Sequence, residues 1–226
     1  MISKETKKSI LNDWGAQFPQ LYPYSQNKIY KILGMCIIGL ELIKIPRCDD
    51  YRPCFVCYPL WKHDEKACLD EPLILQEILN NRHMQFDIPY LKHNIYFKKA
   101  IESTINQTKI SFENDVLIDD LFEMINGQFS HTLVKYSPIN QAKLYEFKFY
   151  AALYVNDKIL IKKVLEEIKL ASTKWLPNLF EWKYGKKDFW VNCLEEKVTQ
   201  RDIYISQIKT NQRNEKFSRL NQSELK

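Results

Sequence analysis

Residues 29–45 read IYKILGMCIIGLELIKI, and residues 51–61 read YRPCFVCYPLW. These two runs decide the fold. Both are rich in β-branched and aromatic side chains, and the first ends at Pro46, so each predicts a strand. The turn at 46–50 joins them as an antiparallel hairpin. Pro53 and Pro59 cannot donate to a ladder, which places the second strand at a sheet edge. Gly34 or Gly39 marks a bulge or a close backbone approach. Glu41 is the lone acid of the first run. It reads either as a buried acid or as a residue at the strand's wet end, since it shares parity with Ile37 and Ile43. A third strand is expected at 84–88.

Outward from the hairpin the period becomes helical. Residues 3–14 predict a short helix with Ile10, Leu11 and Trp14 on one side, closed by Gly15 and Pro19. Residues 72–82, with Pro72 in the first turn and Leu73, Leu75, Ile78 and Leu79 behind it, predict another. Helices follow at 90–106 and 114–126. In the second of these, Ile118, Leu121, Phe122 and Ile125 fall at i, i+3, i+4 and i+7, Asn114 is the expected N-cap and Gly127 the C′ residue. Residues 140–155 and 158–171 predict a helical hairpin turning at Asn156-Asp157, with two short aromatic helices after it at 176–184 and 187–198. The expected fold is therefore α+β: a small antiparallel sheet from the N-terminal third, packed against a mostly helical C-terminal part. Residues 1–198 are expected as a single domain, with the sheet in 1–90 and helices in 91–198. Residues 199–226 are expected as a basic, polar helix or tail.

Composition narrows the class. The chain has 226 residues, of which 45% are hydrophobic and 27% charged, the profile of a globular protein. Five glycines leave little for phosphate-cradling loops, and neither G-x-G-x-x-G nor G-x-x-x-x-G-K-[ST] occurs. Residues 1–10 carry lysines without an apolar signal core. The longest apolar run, 33–45, is broken by Glu41 and Lys44 and is too short to span a bilayer. A cytoplasmic protein with no membrane association is expected, its six cysteines free in a reducing compartment. Lysine outnumbers arginine 27 to 6, a bias seen in A+T-rich bacterial genomes. The net charge of +5 is uneven: residues 197–226 carry seven basic and three acidic side chains, while residues 100–130 carry six acids and one lysine.

Four constellations bear chemistry. Cys48, Cys54, Cys57, His63 and Cys68 are soft ligands close in sequence. Cys54 and Cys57, however, fall three apart in a predicted strand and so face opposite ways, which reads them as small buried thiols. Asp115, Asp119 and Glu123, with Asp120 beside them, form a carboxylate stripe on the predicted 114–126 helix. It suits a divalent metal for phosphoryl chemistry, a basic docking partner or plain solvation. Glu146-Phe147-Lys148 has the acid-x-Lys form of restriction-type nucleases but falls on a helix. Finally, residues 174–190 interleave Trp175, Trp182, Tyr184 and Trp190 with Lys174, Lys183, Lys186 and Lys187. Trp175, Leu179 and Trp182, at i, i+4 and i+7, suggest a core stripe first; a protein interface comes second, and base stacking with phosphate contact, which aromatics interleaved with cations also suit, comes third. No G-x-S-x-G or H-E-x-x-H occurs, no cofactor is implied, and a catalytic role is disfavoured.

The leading expectation is a non-catalytic protein-interaction protein, such as a toxin-immunity protein or an accessory subunit of an anti-phage defence complex, with another protein (the toxin or a complex subunit) as partner. Its candidate interface residues are Asp115, Asp119, Asp120, Glu123, Trp182, Tyr184, Lys186, Lys187, Arg201, Arg213 and Arg219. Nucleic-acid association, through the basic tail or through the partner, is the first alternative. A metal-dependent nuclease or hydrolase using the carboxylate stripe is the second.

Overall fold

The computed structural model describes residues 2–226. The chain divides into two compact units: residues up to Asp115 with Asn211–Glu224, and Val116–Thr210 with Leu225–Lys226. The first holds the sheet and the second is helical, an α+β arrangement.

In the first unit, α1 (Lys4–Gln17) precedes β1 (Tyr22–Ser25), β2 (Lys28–Leu33), β3 (Cys36–Lys44) and β4 (Asp50–Pro59). Next come α2 (Glu65–Cys68), β5 (Ile74–Glu77), β6 (Ile88–Pro89) and α3 (His93–Gln107), and β7 (Gln222–Ser223) returns to the same sheet. Strands run antiparallel in the order β1-β2-β3-β4-β5; β6 pairs with β4, and β7 pairs in parallel with β2.

The expected single strand at 29–45 is two strands. Leu33 pairs with Cys36, and Gly34 takes the turn at φ 48°, a conformation glycine adopts without steric cost. The turn is invisible to hydropathy because Gly34-Met35 lies inside an unbroken apolar run, with Met35 fully buried. Gly39 is the close approach: a Cβ there would lie 2.1 Å from the Ile29 carbonyl oxygen and 2.9 Å from Tyr30 Cδ1.

The β4 strand is central, not at an edge, with β3 on one side and β5 and β6 on the other. Its prolines are tolerated for a local reason. Pro53 pairs with Leu42, whose N–H points away to the Asn27 carbonyl, so the ladder to β3 asks no donor of Pro53. On its other side the Pro53 carbonyl accepts from Ile78 N–H, and Pro53 falls between the stretches paired with β5 and β6. Pro59 is the last residue of the strand.

Residues 72–82 are not helical. Ile74–Glu77 pair with Cys54–Cys57, with Ile74 buried and Leu75 exposed; sheet pairing overrides the weak helical pattern. The Gln107 side chain covers this edge, exchanging hydrogen bonds with the Leu79 N–H and carbonyl. Of the expected 84–88 strand there remain a bridge from Gln85 to Leu79 and Ile88, the first residue of β6. Against the sheet pack Trp14 of α1, Phe18 just past its end, and Phe112, through Phe18–Phe112 and Phe55–Phe112 ring contacts.

The second unit comprises α4 (Ile118–Gln128), α5 (Thr132–Lys135), α6 (Pro138–Val155), α7 (Lys158–Ser172), α8 (Pro177–Tyr184) and α9 (Lys187–Thr199). It also holds α10 (Arg201–Gln212) as far as Thr210. Helix α6 is its core element. Phe147, Phe149, Ala151, Ala152 and Leu153 are all buried, so its second half is covered on more sides than the single face of Leu144, Phe147, Ala151 and Tyr154 that the spacing suggests. The α6–α7 turn is the expected one: Asn156 is left-handed at φ 61°, and Asp157 caps α7 by accepting from the Ile159 and Leu160 N–H groups. Helix α4 begins later than expected. Its N-cap is Leu117, with no side-chain bond, so Asn114 caps nothing here, and Gly127 lies inside the helix rather than after it.

Residues 199–226 are more built-in than a polar tail. Phe217 is fully buried beside the Tyr24 ring, and Leu220 and Leu225 are buried too. Asn211 Nδ2 donates to the Leu60 and Lys62 carbonyls. Sparse apolar residues that each fill a separate site leave no period to read. Among the described residues, no helix is long and apolar enough to cross a membrane.

Candidate functional site

The site is built in the helical unit around residues 174–190. Pro177 starts α8, so Trp175 lies before the helix, and the expected Trp175–Leu179–Trp182 core stripe does not form. Trp175, Phe180, Tyr184 and Trp190 make a ring cluster instead, with Trp175–Phe180 at 5.1 Å, Phe180–Tyr184 stacked at 5.0 Å and Phe180–Trp190 at 5.3 Å. The indole N–H groups are satisfied: Trp175 donates to Gln141 Oε1 and Trp190 to Glu146 Oε1, both at 2.8 Å. Lys187 Nζ donates to the Ser172 and Trp175 carbonyls, placing a cation at the C-terminal end of α7. Of the candidate residues here, Tyr184 and Lys187 serve internal packing, while Trp182 and Lys186 stay exposed.

Next to this cluster lies a groove of about 430 Å³. Its walls come from the end of α5, the start of α6 and the segment leading into α8, with Tyr136, Leu176 and Leu179 at the rim and Tyr145 and Trp175 below. Lys135 and Lys174 line it, and among the described residues no carboxylate does. Gln141 fixes the floor: its Nε2 donates to the Lys135 carbonyl at 2.8 Å while its Oε1 accepts from Trp175. The arrangement offers apolar contact and positive charge.

The other candidates do not converge. Asp115 lies before α4, where its Oδ1 accepts from Glu224 N–H. The stripe of Asp115, Asp119 and Glu123 is therefore broken, while Asp119, Asp120 and Glu123 are exposed on α4, the first two in the turn that favours acids. Arg201 donates to the Leu153 and Tyr154 carbonyls at 2.7 Å and so caps α6. Arg219 pairs with Glu215 one turn away, and Arg213 is exposed just past α10. Within the acid-x-Lys tripeptide, Glu146 holds Trp190, Phe147 is core, and Lys148 is buried against Glu167 and the Phe122 ring.

Cys54 and Cys57 both lie in β4 on opposite faces. Burial pushes the Cys54 thiol up to about 12 and the Cys68 thiol to about 11, and raises Cys57 beside Cys36. Cys48 is half-buried, and His63 is exposed beside Asp64. Among the described residues, no three His, Cys, Asp or Glu side chains are placed to hold a metal.

The sheet unit holds a buried polar cluster at Glu41 and another at Tyr51. Glu41 is buried, and its Oε1 accepts from the Tyr30 hydroxyl, the Tyr58 hydroxyl at 2.9 Å and Lys28 Nζ at 3.0 Å. Burial, then the Glu41 charge, raises both tyrosines. The second cluster escaped sequence reasoning because Trp14, Tyr51 and His93 are far apart in the chain. Trp14 Nε1 donates to the Tyr51 hydroxyl at 3.2 Å, and that hydroxyl meets His93 Nδ1 at 2.8 Å. An indole N–H only donates, so the Tyr51 hydroxyl accepts from Trp14 and shares its second bond with His93 Nδ1. His93 Nε2 faces Asp13 Oδ2 at 3.2 Å, off the line of a hydrogen bond. Tyr51 is fully buried, and burial raises its hydroxyl.

No protein-family model matches the chain, and no solved structure matches it significantly.

Proposed function

We propose that the chain is a non-catalytic interaction protein of the bacterial cytoplasm, serving as the immunity partner of a toxin or as an accessory subunit of an anti-phage defence complex. The observation that supports this is the outer edge of α8. Trp182 is 74% exposed, one helical turn from the exposed Leu179. A tryptophan side chain offers roughly 150–250 Å² for burial and is the type most enriched at interface hot spots. With most of its surface in water, it has more to gain on docking than it contributes to the fold. The groups that catalysis would recruit lean the other way: Tyr51, Cys54 and Cys57 are buried and held protonated. The basic residues of 199–226 are dispersed over separate bonds, with Arg201 on α6, Lys216 on Glu65 and Arg219 on Glu215, which makes a weak phosphate track.

The test is a photo-cross-linking amino acid placed at position 182 of the full chain, in cells of the source organism. A single discrete protein adduct is expected, absent when the same group stands at the exposed Lys163 of α7. Recovery of only unmodified chain from both positions removes the proposal, and a nucleic-acid adduct at 182 replaces the protein partner with DNA or RNA.

A further inference from the structure

We propose that the groove between α5, the start of α6 and α8 binds an acidic segment of a partner protein that carries apolar anchor side chains. The proposal rests on the interaction function above and names the chemistry of the partner.

Three observations carry it. First, the groove is already formed: Gln141 ties the last turn of α5 to Trp175 across its floor, so binding has little to reorganise. Second, its rim is apolar and in water, with Tyr136 at 71%, Leu176 at 61% and Leu179 at 44% exposure. Side chains so placed accept leucine- or phenylalanine-like anchors of an amphipathic segment. Third, the charge is of one sign: Lys135 and Lys174 are both exposed, and among the described residues no acid lines the groove. Opposite charge on the incoming segment completes the site.

The same features disfavour a nucleic acid. Stacking needs free aromatic faces for successive bases. The Trp175 ring is packed against Phe180, Trp190 and Tyr145, and the rim positions beside Tyr136 are leucines.

The test titrates the full ¹⁵N-labelled chain with a synthetic amphipathic peptide of about 14 residues, built from glutamate and leucine with leucines at helical spacing. A lysine-for-glutamate peptide and a single-stranded oligo(dT) serve as controls. The acidic peptide is expected to shift the backbone resonances of Tyr136, Leu176 and Leu179. Lys174→Glu and Leu179→Ser, both at exposed positions, should each weaken it about tenfold. In the Lys174→Glu chain, which keeps Lys135, the preference for the acidic over the lysine peptide should fall. The proposal is overturned by unshifted groove resonances, by equal binding of the two peptides, or by oligo(dT) occupying the groove. It is overturned as well if a second copy fills the groove through its own α4 acids, seen as self-association that Glu123→Lys abolishes. If cross-linking at position 182 captures a partner while the peptide leaves the groove untouched, the interaction function stands and the groove assignment falls.

Discussion

Single side chains set hard constraints in the sheet. Gly39 has no room for a methyl group, because the Ile29 carbonyl and the Tyr30 ring already occupy the space. Gly39→Ala should therefore cost about 2–3 kcal/mol by forcing β2 and β3 apart, read from denaturant melts. His93 supplies a pH signature. Burial lowers its pKa against the opposing pull of Asp13, so at mildly acid pH the unfolded chain binds a proton that the fold resists. Its contribution to stability is full above the unfolded value of about 6.5 and falls as pH drops through it. Melts between pH 7.5 and 5 should show this loss, and His93→Gln should flatten it; an unchanged slope would exclude His93 as its source. The cysteines report exposure. Iodoacetamide should label the half-buried Cys48 and Cys193 well before the buried Cys36, Cys54, Cys57 and Cys68, as mass spectrometry of the digested chain would show.

Among the elements, legibility followed local punctuation. The α6–α7 hairpin was readable because Asn156-Asp157 combines a left-handed residue with an N-cap, and Asp157→Ala should cost about 1 kcal/mol, measured by thermal melting. The β2–β3 turn was not readable, since Gly34-Met35 is as apolar as the strands around it. Residues 72–82 carried apolar spacing compatible with a helix, and only pairing with β4 makes them a strand. The central place of β4 depended on where its neighbours stop, which no proline count reveals. At the groove, the sequence supplied the aromatic and basic composition of 174–190. It could not show that Trp175 turns inward while Trp182 faces water, because that depends on α8 starting at Pro177. Tyr136 and Lys135 come from a separate helix and carried no signal of their own.

For the whole molecule, the charge asymmetry that suggested a separable tail gives way to a different picture. Residues 211–224 belong to the sheet unit, and Phe217 is among its largest fully buried side chains. Phe217→Ala should cost about 3–4 kcal/mol, and removal of residues 211–226 should prevent cooperative folding of the sheet unit. A truncated chain with an unchanged melting transition would show that this segment is dispensable. The helical unit presents the opposite balance, with apolar side chains left in water along α8, and the function depends on what covers them. The most direct measurement compares the proteins that co-purify from the source organism with the wild-type chain and with Trp182→Ala, after both are shown to melt at the same temperature. A stoichiometric partner retained by the wild type and lost from Trp182→Ala is the predicted result. The same proteins in equal amount with both chains, or none with either, would contradict it.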